Sequence, residues 1–307
     1  MTKAKELWGL LTFLVTPTTA DGSIDVDRLR SLADEQIAAG VDGLTLFGST
    51  GAIGSFAEDE RRAAAEVLVR HVAGRVRVMI GTGAITTAEA VRLSQHAESV
   101  GADAILVVPI TYWLLTDDEL LAHYGTIARS VRLPMMLYNN PRLTGVDLTP
   151  PVVAKLAAID NIVAIKEACP DLMRVSVLSR QLAGRIRVFV GRDSTAFESL
   201  MIGAKDWASG LANMIPHHCV ELYRLARRDD VAAARDLWQR MTPFTEFVMA
   251  KGLVRACHSA FELTGRPVGK PRPPILPLSA EDAQRLGQLR AELGDVPGSG
   301  KLAAAAE

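Results

Sequence analysis

Eight short apolar runs, each followed by an amphipathic stretch, dominate the sequence between residues 9 and 228. The runs are 10–15, 43–48, 76–81, 104–110, 134–139, 162–168, 188–191 and 206–210. They are apolar throughout and do not alternate with polar residues, which indicates strands that are covered on both faces and therefore a parallel sheet. A doubly wound open sheet has about six strands. Eight strand–helix repeats instead favour a closed α/β barrel of the (β/α)8, or TIM-barrel, type.

The length of the chain predicts a barrel with an extension. The chain has 307 residues, and a single barrel of this type takes roughly 250. We expect residues 1–228 to form the barrel. Residues 229–295 contain amphipathic patterns and a proline-rich link, which predict a C-terminal helical extension packed on the barrel. Residues 296–307 have the composition of a linker followed by a tail typical of cloning.

Charge and composition exclude several classes of partner. The 34 basic and 35 acidic residues give a formal net charge of −1, without the basic surplus of a nucleic-acid-binding protein. The run Leu7–Val15 follows two lysines but lacks a cleavage site, so it is predicted to be the first buried strand and not a signal peptide. No later uncharged stretch approaches the roughly 20 residues of a membrane-spanning helix. The three cysteines lack CxxC spacing. We therefore expect three reduced, buried thiols in a cytoplasmic protein, with no metal, no cofactor and no nucleic-acid or membrane partner.

Lys166 is the most informative residue at the carboxyl ends of the strands, where such barrels carry their chemistry. It lies in the run 162–168, between apolar neighbours. Burial favours the neutral form of an amine, and a neutral amine attacks a carbonyl carbon to form a Schiff base. A lysine that pairs with a buried acid or reaches the rim is the structural alternative. Glu167 is a poor partner, because adjacent side chains of a strand point to opposite faces.

Tyr138 ends another strand and is expected to face the same end of the barrel. A phenol near an amine and a carbonyl can transfer protons when neighbouring hydroxyl groups orient it. The turn 48–51, Gly-Ser-Thr-Gly, offers two hydroxyl groups and free backbone N–H groups, which suit a small carboxylate. It lacks the GK[ST] motif of a phosphate-binding loop. Taken singly, Tyr138 is also compatible with the structural role of a buried tyrosine, and residues 48–51 are also compatible with an ordinary turn between a strand and a helix.

Together these residues resemble the dihydrodipicolinate synthase/N-acetylneuraminate lyase family of class I, pyruvate-type aldolases. The resemblance covers about residues 8–290, and the motifs match those of the family in order and spacing as well as in residue identity. No single motif is specific, but the set is. The motifs are TP-x3-DG-x-ID (16–25), GSTGA (48–52), YNNP-x2-TG (138–145), IKEA (165–168) and SGLANMIP (209–216).

The resemblance implies catalytic roles at four positions. Lys166 matches the Schiff-base lysine and Tyr138 the general acid/base, with Ser49 as the hydroxyl that relays its proton. Tyr112 is the counterpart of a tyrosine that the family supplies from a neighbouring subunit. Such a tyrosine requires at least a dimer, and the family implies a homotetramer built as a dimer of dimers.

The resemblance also implies how the substrate is held. Thr50 and the adjacent Gly51 match the residues that bind the keto-acid carboxylate, and Ala208 matches a residue whose carbonyl faces the bound keto acid. We expect Arg142 and Arg192 to contact the distal end of the substrate. A solvated loop arginine is the alternative for each.

The chain departs from the family pattern at three positions, one of which is Arg192, where the synthase commonly has an acid. Ala52 replaces a glutamate of the GTTGE-like turn, and Leu143 stands where the synthase has a substrate-binding arginine, with Arg142 one residue earlier.

We therefore expect a lyase that forms a Schiff base with pyruvate or a 2-keto(-3-deoxy) acid. Aldol cleavage, condensation and dehydration all remain open, since each begins from the same iminium. The first alternative is 4-hydroxy-tetrahydrodipicolinate synthase, with Arg142 in place of the usual arginine. The second is a barrel that binds a keto acid without catalysis, which the loss of the glutamate at Ala52 motivates.

Overall fold

The strands form a closed parallel barrel in a computed structural model that describes residues 9–296. They pair in chain order, and the last strand pairs with the first. The strands are β1 (Leu10–Phe13), β2 (Gly43–Leu46), β3 (Arg77–Gly81), β4 (Ala104–Val107), β5 (Met135–Asn139), β6 (Ile162–Glu167), β7 (Arg187–Val190) and β8 (Asp206–Ser209). The predicted (β/α)8 barrel is confirmed.

Helices follow the strands and cover the outside of the barrel. Those between the strands are α1 (Val26–Ala39), α2 (Glu58–Val72), α3 (Thr87–Ser99), α4 (Asp117–Arg129), α5 (Pro141–Thr144), α6 (Pro150–Leu156), α7 (Met173–Gln181) and α8 (Ala196–Met201), and α9 (Pro216–Arg227) follows β8. The capping signals act as expected in α1, where the Asp25 side chain accepts a hydrogen bond from the Arg28 amide and Gly40 ends the helix at φ 91°. No helix within residues 9–296 is long and apolar enough to cross a membrane.

Several apolar runs continue past the ends of the strands. The run 104–110 yields a strand only as far as Val107, because Pro109 has no N–H group for further pairing. These extra residues form the loops above the carboxyl end of the barrel. Of the three free cysteines, Cys219 and Cys257 are buried, whereas Cys169 is partly exposed, contrary to the expectation of three buried thiols.

Three further helices make up the C-terminal part: α10 (Val231–Lys251), α11 (Leu253–Leu263) and α12 (Ala280–Leu293). Gly252 joins α10 to α11 at φ 97°, a backbone conformation that residues other than glycine rarely adopt. The chain turns there, and residues 249–255 line a cavity at the carboxyl end of the barrel. The division at residue 228 remains a prediction, and residues 297–307 of the predicted tail lie outside the described residues.

The pairing of β5 with β6 positions the two residues for which the sequence predicts the central catalytic roles. Tyr138 lies opposite Lys166, and Asn139 lies opposite Glu167. On the outer face of the barrel, the Asn139 side-chain amide and the Cys169 backbone N–H both donate to Glu167 Oε1, at 3.0 and 2.7 Å. The two strands are therefore held in register from outside, while Tyr138 and Lys166 project side by side into the interior.

The same outer contact extends to the loop after β5. Asn139 Nδ2 also donates to Asp147 Oδ1 at 3.0 Å, and Asn139 Oδ1 accepts from the Leu148 N–H at 2.9 Å. Asp147 forms an ion pair with Arg174 of α7 at 2.8 Å. This network therefore connects both strand ends to the following helix.

Burial raises the pKa of Glu167 to about 7, although the hydrogen bonds from Cys169 and Asn139 and the charge of Arg174 act in the opposite direction. Above the ordinary carboxyl pKa, the unfolded chain releases this proton before the folded protein does. The contribution of Glu167 to stability is therefore complete at low pH and decreases as the pH rises toward about 7.

We predict that Glu167→Gln stabilises the protein more at pH 8 than at pH 5, relative to the wild type, because the glutamine has no proton to release. The measurement is the free energy of unfolding in urea at both pH values. Glu246→Gln, at an exposed position of α10, is the matched control and should show no such difference. An equal effect of Glu167→Gln at pH 5 and pH 8 would contradict the prediction.

Candidate active site

A cavity of about 490 Å³ opens at the carboxyl end of the barrel. Most of the site residues predicted from the sequence line it. These are Ser49, Thr50, Tyr138, Arg142, Lys166 and Arg192. The volume lies within the range of pockets that bind small organic ligands.

Lys166 lies at the buried end of this cavity. Its side chain is only 4% exposed, and its Nζ lies 3.5 Å from the centroid of the Phe13 ring and 4.6 Å from that of Tyr138. Aromatic rings attract an ammonium group through their negative faces. Within residues 9–296, Nζ forms no hydrogen bond or ion pair with the protein, so the amine is available to a ligand.

Asp193 is a neighbouring acid that the sequence reasoning left without a role. Its carboxylate is buried and accepts four hydrogen bonds, whose donors are Trp207 Nε1, Ser209 Oγ and the backbone N–H groups of Gly210 and Leu211. Burial raises its pKa, and the positive charge of Lys166 and the hydrogen bonds act in the opposite direction. Because all four groups donate to its two oxygen atoms, the arrangement favours the ionised carboxylate and fixes its position near Lys166. The sequence signal that could have identified Asp193 is its position shortly after β7, at the carboxyl end of the barrel, where such folds carry their chemistry.

Tyr138 has two hydrogen-bond donors at its hydroxyl oxygen. Ser49 Oγ donates at 3.3 Å, and Asn140 Nδ2 donates at 2.9 Å. Because both partners use the oxygen as an acceptor, the phenolic proton remains free for donation to a ligand. The contact with Ser49 was predicted. Asn140 was missed, although it lies within the YNNP motif.

The glycine turn packs directly on the ring beneath the lysine. A Cβ atom on Gly48 would lie 2.4 Å from Phe13 Cδ1, and one on Gly51 would lie 2.9 Å from the Leu14 carbonyl oxygen. Only glycine fits at these two close approaches. The turn is thereby held against β1, and the Ser49 and Thr50 side chains line the cavity.

Three predicted site residues do not line the cavity. Gly51 and Ala208 are buried and are not part of its lining. Tyr112 is 87% exposed in the loop after β4, where it packs edge-on against Trp113 with the ring centroids 5.4 Å apart. Their predicted roles remain predictions.

The C-terminal helices contribute a wall that the sequence reasoning did not anticipate. Residues 249–255 and Ile275 line the cavity opposite the strand ends. Among them, Lys251 forms an ion pair with Asp282 of α12 at 2.7 Å. Sequence patterns showed that these helices exist, but the place where they contact the barrel depends on long-range packing. Within residues 9–296, no three His, Cys, Asp or Glu side chains are grouped so that they could hold a metal ion.

The family model and the sequence relatives that match this chain are consistent with one another. The sequence model of the "Dihydrodipicolinate synthetase family" matches residues 6–292. The chain is 36% identical to the "Putative 2-dehydro-3-deoxy-D-gluconate aldolase YagE" of Escherichia coli K12, over 92% of this chain and 94% of that protein. It is also 36% identical to the 4-hydroxy-tetrahydrodipicolinate synthase of Neisseria meningitidis serogroup B, over 89% of this chain and 94% of that protein.

Solved structures agree with the sequence relatives. A crystal structure of YagE from Escherichia coli K12 in complex with pyruvate superimposes with a TM-score of 0.89 at 35% identity, covering 94% of this chain and 98% of that one. Dihydrodipicolinate synthase from Aquifex aeolicus gives a TM-score of 0.90 at 30% identity, covering 93% and 98%. The predicted family and the predicted class of enzyme, a lyase, are confirmed. The chain belongs to the dihydrodipicolinate synthetase family.

Proposed function

We propose that this protein is a class I lyase in which Lys166 forms a Schiff base with pyruvate or a 2-keto-3-deoxy acid. The observation that carries the proposal is the position of the Lys166 amine, which is buried at the end of a cavity beside the Tyr138 ring and has no hydrogen-bond or ion-pair partner in the described part of the chain. Amine attack on the C2 carbonyl, with loss of water, gives an iminium ion that withdraws electrons from C3. The bond between C3 and C4 can then break or form, as in an aldol reaction, or the C–O bond at C4 can break, as in a dehydration.

Tyr138 transfers the protons in this mechanism. Its oxygen accepts from Ser49 and Asn140, so its proton can pass to the departing hydroxyl group and return from C3. Both donors also stabilise the phenolate that forms in between. Asp193 stabilises the positive charge of the iminium.

The turn at Ser49 and Thr50 binds the substrate carboxylate. Both side chains line the cavity, and hydroxyl and backbone N–H groups of such a turn suit an anion. The cavity of about 490 Å³ leaves room beyond a small acid such as pyruvate, which favours a longer 2-keto acid or a second substrate in the same space. The synthase reaction is a second candidate, since Arg142 lines the cavity next to Leu143.

The proposed assembly is a homo-oligomer in which Tyr112 completes the site of a neighbouring copy. Tyr112, Trp113, Leu114 and Ile85 are exposed by 87, 70, 94 and 66%. Such a group of large apolar side chains is typical of a surface that another chain covers. A dimer formed there, and a dimer of dimers, would account for this exposure.

We predict that the protein catalyses exchange of the C3 hydrogens of pyruvate with deuterium from the solvent, because the iminium loses a C3 proton to form an enamine. Proton NMR of the methyl signal in heavy water measures the rate. Lys166→Ala should abolish the exchange, and Tyr138→Phe should slow it by about 100-fold or more. Lys155→Ala, at an exposed position of α6, should leave the rate unchanged.

Exchange at the wild-type rate in Lys166→Ala would contradict the proposed role of the lysine. If the wild type exchanges neither pyruvate nor longer 2-keto acids, the result would instead favour a barrel that binds a keto acid without catalysis.

We further predict that an inactive Tyr112→Phe protein and an inactive Lys166→Ala protein regain exchange activity when they are unfolded, mixed and refolded together. A mixed dimer contains one site with an intact lysine that receives an intact Tyr112 from its neighbour. Each variant refolded by itself is the control. If the mixture is no more active than the separate variants, Tyr112 does not act in a neighbouring subunit.

A further inference from the structure

The charged side chains on the more exposed part of the cavity wall are all basic. Lys166 and Asp193 occupy the buried end and are 4% and 3% exposed. The other charged lining residues within the described chain are Arg142, Arg192, Lys251 and Arg255. They come from the short helix α5, from the loop after β7 and from the α10–α11 junction.

Three of these basic residues have no acidic partner among the residues that the structure describes. Lys251 is paired with Asp282. Within residues 9–296, Arg142, Arg192 and Arg255 form no ion pair with a carboxylate. Arg192 donates through Nε to Ser194 Oγ at 3.0 Å, which orients the guanidinium and leaves its two terminal nitrogen atoms for another acceptor.

The positions of these arginines correspond to the far end of a bound substrate. A 2-keto acid must place its C2 carbon at Lys166 and its C1 carboxylate at Thr50, both at the buried end. Arg192 and Arg255 are partly buried and Arg142 is exposed, so they line the part of the cavity that leads toward solvent. Additional carbons of the substrate extend in that direction.

We propose that Arg142, Arg192 and Arg255 bind a second anionic group, a carboxylate or a phosphate, at the distal end of the substrate. The inference rests on the proposed function and specifies its substrate class. Guanidinium groups form paired, charge-assisted hydrogen bonds with either group. A neutral distal chain would leave the three positive charges of this cavity wall without a compensating negative charge.

The test compares two six-carbon 2-keto acids that differ only at the distal end, 2-oxoadipate with a carboxylate and 2-oxohexanoate with a methyl group. Each condenses with the Lys166 amine with loss of water, and borohydride then transfers a hydride to the iminium carbon to give a stable secondary amine. Intact mass gives the fraction trapped at each concentration. We expect half-maximal trapping at a concentration at least about tenfold lower for 2-oxoadipate.

The double variant Arg192→Gln/Arg255→Gln should reduce this preference to a ratio near one, and each single variant should reduce it in part. Arg180→Gln, at an exposed position of α7 outside the cavity, is the matched control and should retain the full preference. In the wild type, added sodium chloride should weaken the preference, because salt screens charges that are accessible to water. Circular dichroism of each variant checks that it is folded.

Competition with inorganic phosphate separates the two sources of the anion. If phosphate raises the half-maximal concentration of 2-oxoadipate but not that of 2-oxohexanoate, the arginines accept a phosphate group. A preserved preference without competition assigns the site to carboxylates.

Equal half-maximal concentrations for the two acids in the wild type, or an unchanged preference in the double variant, would overturn the proposal. Trapping of pyruvate by the wild type is scored separately, and its absence would count against the Schiff-base function itself.

Discussion

The parallel pairing of β5 with β6 is the constraint on which the site depends. It places Tyr138 next to Lys166 on the inner face of the barrel and Asn139 next to Glu167 on the outer face. Because successive side chains of a strand alternate, a shift of one residue in either strand would separate the phenol from the amine. The hydrogen bonds that Glu167 accepts outside the barrel oppose such a shift. A buried carboxyl group behind the sheet thus holds in place the two residues to which we assign the proposed chemistry.

A buried lysine is costly unless its surroundings compensate the charge. Here the compensation comes from the faces of Phe13 and Tyr138 and from the negative charge of Asp193, which is fixed by its own four donors. None of these contacts occupies the amine with a hydrogen bond. The close packing of Gly48 on Phe13 adds the hydroxyl-bearing turn to the same place, so the proposed carboxylate site and the proposed Schiff-base lysine both rest on the Phe13 ring.

The sequence was sufficient to predict the barrel and much of the candidate site, because the signals for both lie in short segments of the chain. Continuous apolar runs with capped helices between them define the strands, and Lys166 is conspicuous because it interrupts such a run. Asp193 and Asn140 were not assigned roles, since their importance depends on donors and acceptors distant in the sequence. The wall formed by the α10–α11 junction follows from packing between helices and barrel, which periodicity does not encode. Tyr112 is exposed and does not line the cavity of its own chain, and its predicted role depends on a neighbouring subunit.

The most direct test of the account is a crystal structure of the protein after pyruvate is soaked into the crystals. The account predicts continuous electron density from the Nζ of Lys166 to C2 of pyruvate, with the carboxylate at Ser49 and Thr50 and the Tyr138 hydroxyl within hydrogen-bond distance of the adduct. An unmodified Lys166 in a structure that holds pyruvate elsewhere in the cavity would contradict it.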